Sequence, residues 1–427
     1  MQSHDRLPAG IWVLVGGAFL VAVGYGMVAP ILPVFVRSFD VGITAASLVI
    51  SVFALSRLVF APMSGRIVGR FGELPGFVVG VAIVAAASAA TAFAGAYWQL
   101  LTLRAIGGIG STMFTVSALS LLVRLAPPGL RGRASGWWAT GFLMGNIAGP
   151  ILGGGLAELD LRAPFLVYAG ALVLVILICG PLLRGRTAEV VVAGEAPVPP
   201  ARFADAVREP AYRAALMGSF ANGWAVFGVR VALVPLFVVE VLHRPGSWSG
   251  IALAVFAAGS AAMLVLSGRM ADRWGRRPPI MAGLAVSAAS MAVIGVITDP
   301  VWFLVLSLIG GLGSGFLNPP LNAVVADVIG GRARGGTVLA GFQMAGDLGA
   351  ILGPVLAGVL AELVGFGAAF GITGAVLAIG LLVWVRAPET LPRRSTAAAD
   401  AVVASASASD ECPGYPETPT PISSPTR

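Results

Sequence analysis

The chain has 427 residues, 57% of them hydrophobic and only 11% charged, with a formal net charge of +7. A soluble domain is nearer half apolar and a quarter charged, so composition excludes an ordinary soluble protein and points to a chain solvated by lipid. No lysine occurs, and the arginines lie mostly in short segments between apolar runs, which marks them as topology determinants rather than a nucleic-acid surface. Cys179, Cys412, His4 and His243 stand apart, so neither a disulfide framework nor a metal site is expected, and no cofactor is implied.

A membrane span needs about 20 consecutive apolar residues. Runs of that kind predict twelve helical spans near 11–36, 44–64, 75–94, 98–122, 136–156, 164–183, 211–239, 248–267, 279–297, 301–326, 336–360 and 366–385. The first run is too long for a signal core and lacks a clear cleavage site. Residues 184–210, with Ala196-Pro197-Val198-Pro199-Pro200, read as a linker between spans 6 and 7. Residues 387–427, rich in Ala, Ser, Thr and Pro, read as a disordered tail. The expected organisation is a first half over 1–183, the linker, a second half over 211–386, and the tail.

An even number of spans puts both termini on one face. Arg66, Arg70, Arg124, Arg131, Arg133, Arg184, Arg186, Arg202, Arg208, Arg213, Arg269, Arg273, Arg276, Arg277, Arg332 and Arg334 fall on that face, against Arg37, Arg162 and Arg244 on the other. The bias of arginine toward cytoplasmic loops then predicts cytoplasmic termini and a place in the inner (plasma) membrane.

The halves repeat at an offset near 203. Gly65-Arg66-Ile67-Val68-Gly69-Arg70-Phe71-Gly72 matches Gly268-Arg269-Met270-Ala271-Asp272-Arg273-Trp274-Gly275, and Ile106 to Ser111 matches Ile309 to Ser314. Gly149-Pro150 through Glu158-Leu159 matches Gly353-Pro354 through Glu362-Leu363, and Gly26 and Pro33 match Gly228 and Pro235. Six spans per copy make the repeat parallel, about an axis along the membrane normal, which suits alternating access around a site between the halves.

These motifs resemble the major facilitator superfamily. Gly268, Asp272, Arg273, Gly275, Arg276 and Arg277 match its motif between spans 8 and 9; the first-half copy keeps Gly65, Arg70 and Gly72 but has Gly69 for the acid and Glu73 for a base. Leu103-Arg104 with Gly107 and Gly110 is similar to its span 4 motif. Gly141, Gly145, Gly149-Pro150 and Gly153-Gly154 are similar to its span 5 motif, associated with proton-driven drug antiporters. The resemblance covers about residues 8–390 and implies an all-α integral membrane fold of two parallel-related six-helix bundles. It also implies that Asp272 latches the start of span 5 when the cytoplasmic side closes. Spacing alone puts Gly141, Gly145, Gly149 and Gly153 on one smooth stripe, repeated by Ala345, Gly349, Gly353 and Ala357 in span 11. Such stripes let helix backbones approach closely.

Charges at membrane depth are costly and usually functional. Arg57, Arg104 and Arg230 lie within spans, and Asp347 is the one acid read near mid-membrane. Buried structural pairing is the plain alternative for each. By helix rise, Arg57 is about 12 Å from Gly65 and Asp347 about 17 Å into span 11. Spans 2 and 11 are neighbours in the family fold, so Asp347 is expected to face Arg57, the alternatives being a water-filled cavity or Arg230. Asp347, Arg104 and Arg57 are the candidates for proton coupling. Spans 1, 4, 7 and 10 line the family cavity, which makes Tyr25, Met113, Phe220, Asn222, Trp224, Arg230, Asn318 and Gln343 its candidate lining.

That lining suits hydrophobic small molecules. The expected function is proton-coupled efflux of drugs or natural products; the alternative is transport of a polar metabolite such as a sugar or organic acid. No nucleophile–base constellation or nucleotide cassette is present, so neither an enzyme nor an ATP-driven pump is expected. The partners are a small-molecule substrate, protons and the bilayer, with a monomer expected.

Overall fold

The computed structural model describes residues 7–126, 130–184, 203–329 and 336–391. Most of the expected linker (185–202) and tail (392–427), with Arg186, Arg202, Arg332, Arg334 and Cys412, lies outside the described residues. Among those residues twelve helices are long and apolar enough to cross a membrane. They are, as spans 1 to 12, Ala9–Arg37, Ile43–Phe71, Glu73–Ala92, Tyr97–Leu125, Arg133–Leu159, Ala163–Arg184, Pro210–Glu240, Ser247–Trp274, Arg277–Ile294, Pro300–Ile329, Thr337–Leu363 and Phe366–Arg386. Both halves belong to one compact unit ending at Thr390. Below, the side from which the chain enters span 1 and leaves span 12 is the terminal face.

Spans 2 and 8 run about two turns further than the apolar pattern suggests. The repeated Gly-Arg motif is helical to Phe71 and Trp274, and the helices stop at Gly72 and Gly275. Those two glycines occupy equivalent positions and have φ of +93° and +107°, a conformation that glycine adopts without the Cβ penalty. Their arginines hid the extension, because long basic side chains at a helix end reach the interface while the backbone stays helical. Span 7 departs from a regular helix: residues Gly223–Arg230 form a π-helical stretch between Pro210–Asn222 and Val231–Glu240.

The glycine stripe of span 5 packs on span 1 of its own half. A Cβ on Gly145 would lie 2.7 Å from the Phe19 carbonyl oxygen, and one on Gly149 or Gly153 would collide with the backbone at Val23 or Met27. Gly154, on another face, meets Ser247 of span 8. The second half repeats the arrangement: Gly349 meets the Phe220 backbone and Gly353 meets Trp224. Gly26 faces Pro150 at 3.0 Å and Gly228 faces Pro354 at 2.9 Å, both measured from a built Cβ. The proline of one helix thus fits the glycine of its neighbour in both copies, which explains why these residues recur together.

Two ion pairs brace the terminal face. Arg276 at the start of span 9 binds Asp327 near the end of span 10 at 3.1 Å; Glu73 at the start of span 3 binds Arg124 at the end of span 4 at 2.8 Å. At the repeat offset Glu73 corresponds to Arg276 and Arg124 to Asp327. The pair is kept and its polarity is reversed.

Two expectations follow. Gly149→Val should cost about 3 kcal/mol through overpacking against a backbone, read as lost monodisperse yield in size-exclusion chromatography, whereas Gly155→Val, with open space around it, should leave yield unchanged. Arg124→Glu should lower thermal stability by about 1 kcal/mol, the scale of a partly exposed pair. The double change Glu73→Arg/Arg124→Glu should restore it, because it installs the polarity the second half already uses.

Candidate transport pathway and gates

On the face opposite the termini the halves meet closely. Arg37 at the end of span 1 binds Glu240 at the end of span 7, Nε to Oε1 2.9 Å. These residues are 203 apart, so each meets its own repeat equivalent, as expected of residues beside the pseudo-two-fold axis. In the seam between spans 2 and 11, the backbone N–H and hydroxyl of Thr44 donate to Glu362, the former at 3.0 Å. A carboxylate at a helix N-terminus is favoured by the orphan N–H groups and the helix dipole. Deeper in the seam Gly358 packs against Ser47, and Ser51 Oγ donates to the Ile351 carbonyl at 2.6 Å. The pseudo-symmetric seam of spans 5 and 8 is closed by Gly154 against Ser247 and Gly250 against the Pro150 backbone.

Toward the terminal face several small positions are uncovered. A Cβ built on Gly65, Gly69 or Gly136 would meet nothing within 4 Å. Asp272 is bonded to its own helix neighbour Arg276 at 2.8 Å, and its side chain is 74% exposed. The contacts between the halves named above thus lie on the far face, and these terminal-face positions make none of that kind.

That geometry accounts for Asp347 and Arg57. The antiparallel register set by Thr44–Glu362, Ser47–Gly358 and Ser51–Ile351 continues to Arg57–Asp347 one to two turns further in. Both are half-buried, and Arg57 is the cation whose charge acts on Asp347. No ion pair joins them among the described residues. Span 2 reaches Phe71, so Arg57 is about 21 Å from its terminal-face end, deeper than expected.

The motif residues form a braced cluster. Arg276 holds Asp272 and Asp327 together, and its Nη1 also donates to the Ala271 carbonyl. Burial works against its charge, yet the hydrogen bonds and charges of Asp327 and then Asp272 outweigh that and hold its pKa above the usual arginine value. Glu389, expected in the tail, accepts from the backbone N–H groups of Arg276 and Arg277 at 2.8 and 3.0 Å, and the Thr390 hydroxyl donates to Asp327 at 2.9 Å. The first residues after span 12 are thus docked on the start of span 9. Gly275 makes room for them, since a Cβ there would collide with Glu389.

The candidate cavity residues separate. Tyr25 and Arg104 line one void of the first half with Phe53 and Tyr168, the guanidinium 4.3 Å from the Phe53 ring centroid. Asn222 donates weakly to Asn318 at 3.4 Å, Phe220 stacks near Trp224, and Gln343 is exposed. Three residues lie elsewhere than expected. Met113 packs under Gly80 of span 3. Trp224 is buried and its indole N–H donates to Thr373 of span 12 at 3.3 Å. Arg230 is sealed inside the second half, 1% exposed. The π-helical stretch inserts extra backbone per turn and so rotates residues 224–230 away from the phase a regular helix would give.

The family model of the Major Facilitator Superfamily matches residues 14–250 and 215–424. The multi-drug resistance efflux pump PmrA of Streptococcus pneumoniae is 25% identical over 377 residues, covering 86% of this chain and 92% of that protein. The quinolone resistance protein NorA of Staphylococcus aureus is 30% identical over 164 residues, 38% of this chain and 42% of that protein. Among solved structures, a bacterial homolog of the human lysosomal transporter Spinster, inward-facing and occupied, gives a TM-score of 0.71 at 15% identity over 88% of this chain and 95% of that one. A POT family transporter in complex with 5-aminolevulinic acid gives 0.73 at 13% identity over 90% and 97%. At such identities the structures speak for the fold alone. The chain is a member of the Major Facilitator Superfamily, a multi-pass membrane transporter with twelve spans.

Proposed function

We propose that the chain is a proton-coupled exporter of hydrophobic small molecules, working by alternating access in the plasma membrane with both termini in the cytoplasm. In this reading the terminal face is cytoplasmic and the structure is inward-facing. Export rests on the likeness to proteins named as a multi-drug resistance efflux pump and a quinolone resistance protein. Proton coupling rests on one observation: Asp347, at mid-membrane on the seam of spans 2 and 11, is in register with Arg57 and makes no ion pair among the described residues.

The sign of coupling follows. Ionised Asp347 favours the closed cytoplasmic seam, because closure brings it against Arg57. Protonated Asp347 has no charge to offer, so the open seam is favoured. Substrate entering from the cytoplasm meets the ionised carboxylate, and closure then turns the transporter outward. A proton taken up on the outside reopens the seam and leaves to the cytoplasm. One proton entering per outward passage is antiport.

Closure would also carry Asp272 from its exposed position to the start of span 5, as Glu362 already caps the start of span 2 on the far face. A carboxylate at a helix N-terminus is stabilised by about 1 kcal/mol.

Everted vesicles should take up hydrophobic compounds when a proton gradient is imposed, with sugars and organic acids as the contrasting panel. Asp347→Asn should abolish gradient-driven transport yet keep counterflow; gradient-driven transport with unchanged pH dependence would remove Asp347 from the coupling step. Asp272→Asn should shift the inward-to-outward ratio about fivefold toward inward-facing states, seen as greater labelling of cysteines on the cytoplasmic side. Gly69→Asp should shift it the other way, and equal labelling of wild type and Asp272→Asn contradicts the latch.

A further inference from the structure

We propose that the second half encloses a binding site for one small inorganic anion of chloride size, held by Arg230 and Ser287. Arg230 ends the π-helical stretch of span 7. Its guanidinium carbon is 3.9 Å from the centroid of Phe256 on span 8, and its Nη2 is 4.0 Å from the Met291 sulfur on span 9. Gly310 of span 10 leaves the space: a Cβ there would be 3.0 Å from Nη2. Nε and Nη1 of Arg230 have no hydrogen-bond partner, nor does Ser287 Oγ, and these groups line one void. The void is about the size of one water or one small ion.

Charge decides between the two. A guanidinium keeps its proton in a protein, and a buried charge without a counter-charge is expensive. Each described acid of this half that has a partner has it elsewhere: Glu240 with Arg37, Asp272 and Asp327 with Arg276, Glu362 on Thr44, Asp299 on the start of span 10 and Glu389 on the start of span 9. Asp347 lies on span 11 under the charge of Arg57. The Phe256 ring face screens one side of the cation only. Water in the void would satisfy one of these N–H groups but leave the charge; an anion accepting from one of them does both, with the Ser287 hydroxyl as a second donor.

The first half provides the contrast. At the repeat offset Phe53 corresponds to Phe256, Gly107 to Gly310, Val84 to Ser287 and Ser88 to Met291, and all eight line the two corresponding voids. There the arginine, Arg104, comes from span 4, is half-buried, and has Tyr25 and Tyr168 beside it. The hydroxyl donor at the Val84/Ser287 position occurs only in the half where the cation is sealed.

The test is thermal unfolding of the purified full chain in detergent, titrated with sodium chloride against sodium gluconate at constant ionic strength. Chloride should raise the midpoint saturably, by about 2 °C at ten times its dissociation constant, and bromide should substitute where sulfate does not. Arg230→Met should abolish the response. Should that variant not fold, Ser287→Ala should weaken chloride about fivefold, the worth of one hydrogen bond. Identical unfolding in chloride and gluconate, an undiminished response in Arg230→Met, or unchanged chloride affinity in Ser287→Ala would each overturn the site and leave a water in its place.

Discussion

Helices in lipid gain little by bringing apolar faces together, because lipid tails are as apolar as leucine; close backbone approach has to supply the contact. That constraint governs this protein. Spans 5 and 11 lie so close to spans 1 and 7 that a single Cβ at Gly149 or Gly349 would strike backbone. Packing that tight leaves little room for one helix to slide on the other within a half. The seams between halves differ: among the described residues their far-face contacts are hydrogen bonds, one ion pair and small residues.

What the two copies changed is as informative as what they kept. The braces at the starts of spans 3 and 9 keep an ion pair while exchanging its signs. Arg37 and Glu240, equivalent residues beside the axis, would repel if identical and instead attract. Asp272 has kept the acid where Gly69 has lost it, so the two terminal-face seams are unequal by construction. In the proposed cycle one seam, that of spans 2 and 11, would carry Arg57 against Asp347 while the other would be held by Asp272 at the start of span 5.

Much of this was legible in the sequence. Apolar run length gave twelve spans, and the offset of 203 gave the duplication and the stripe, because glycine spacing survives translation into helix geometry directly. Rotation about the helix axis was harder to read. Spans that are apolar all round give no amphipathic phase, which is why Met113 and Trp224 were expected on a cavity and instead pack within their halves. The π-helical stretch compounds the error for Arg230, since backbone hydrogen-bond register leaves no mark on composition. Glu389 sits in a Pro-Glu-Thr segment that reads as tail, and only its bonds to the start of span 9 reveal a role. The reversed braces and the Phe53/Phe256 pair were available to anyone carrying the repeat offset through every charged and aromatic residue.

The central claim is that protonation of Asp347 opens the seam of spans 2 and 11. Spin labels at Arg66→Cys and Leu339→Cys, on the terminal-face ends of those spans in a background without Cys179 and Cys412, report the opening as a distance by pulsed electron resonance. The account predicts a longer distance population growing as pH falls, with a one-proton dependence that disappears in Asp347→Asn, whose open population should predominate equally at every pH. A distance distribution indifferent to pH, or the same pH response with and without the carboxylate, would contradict it.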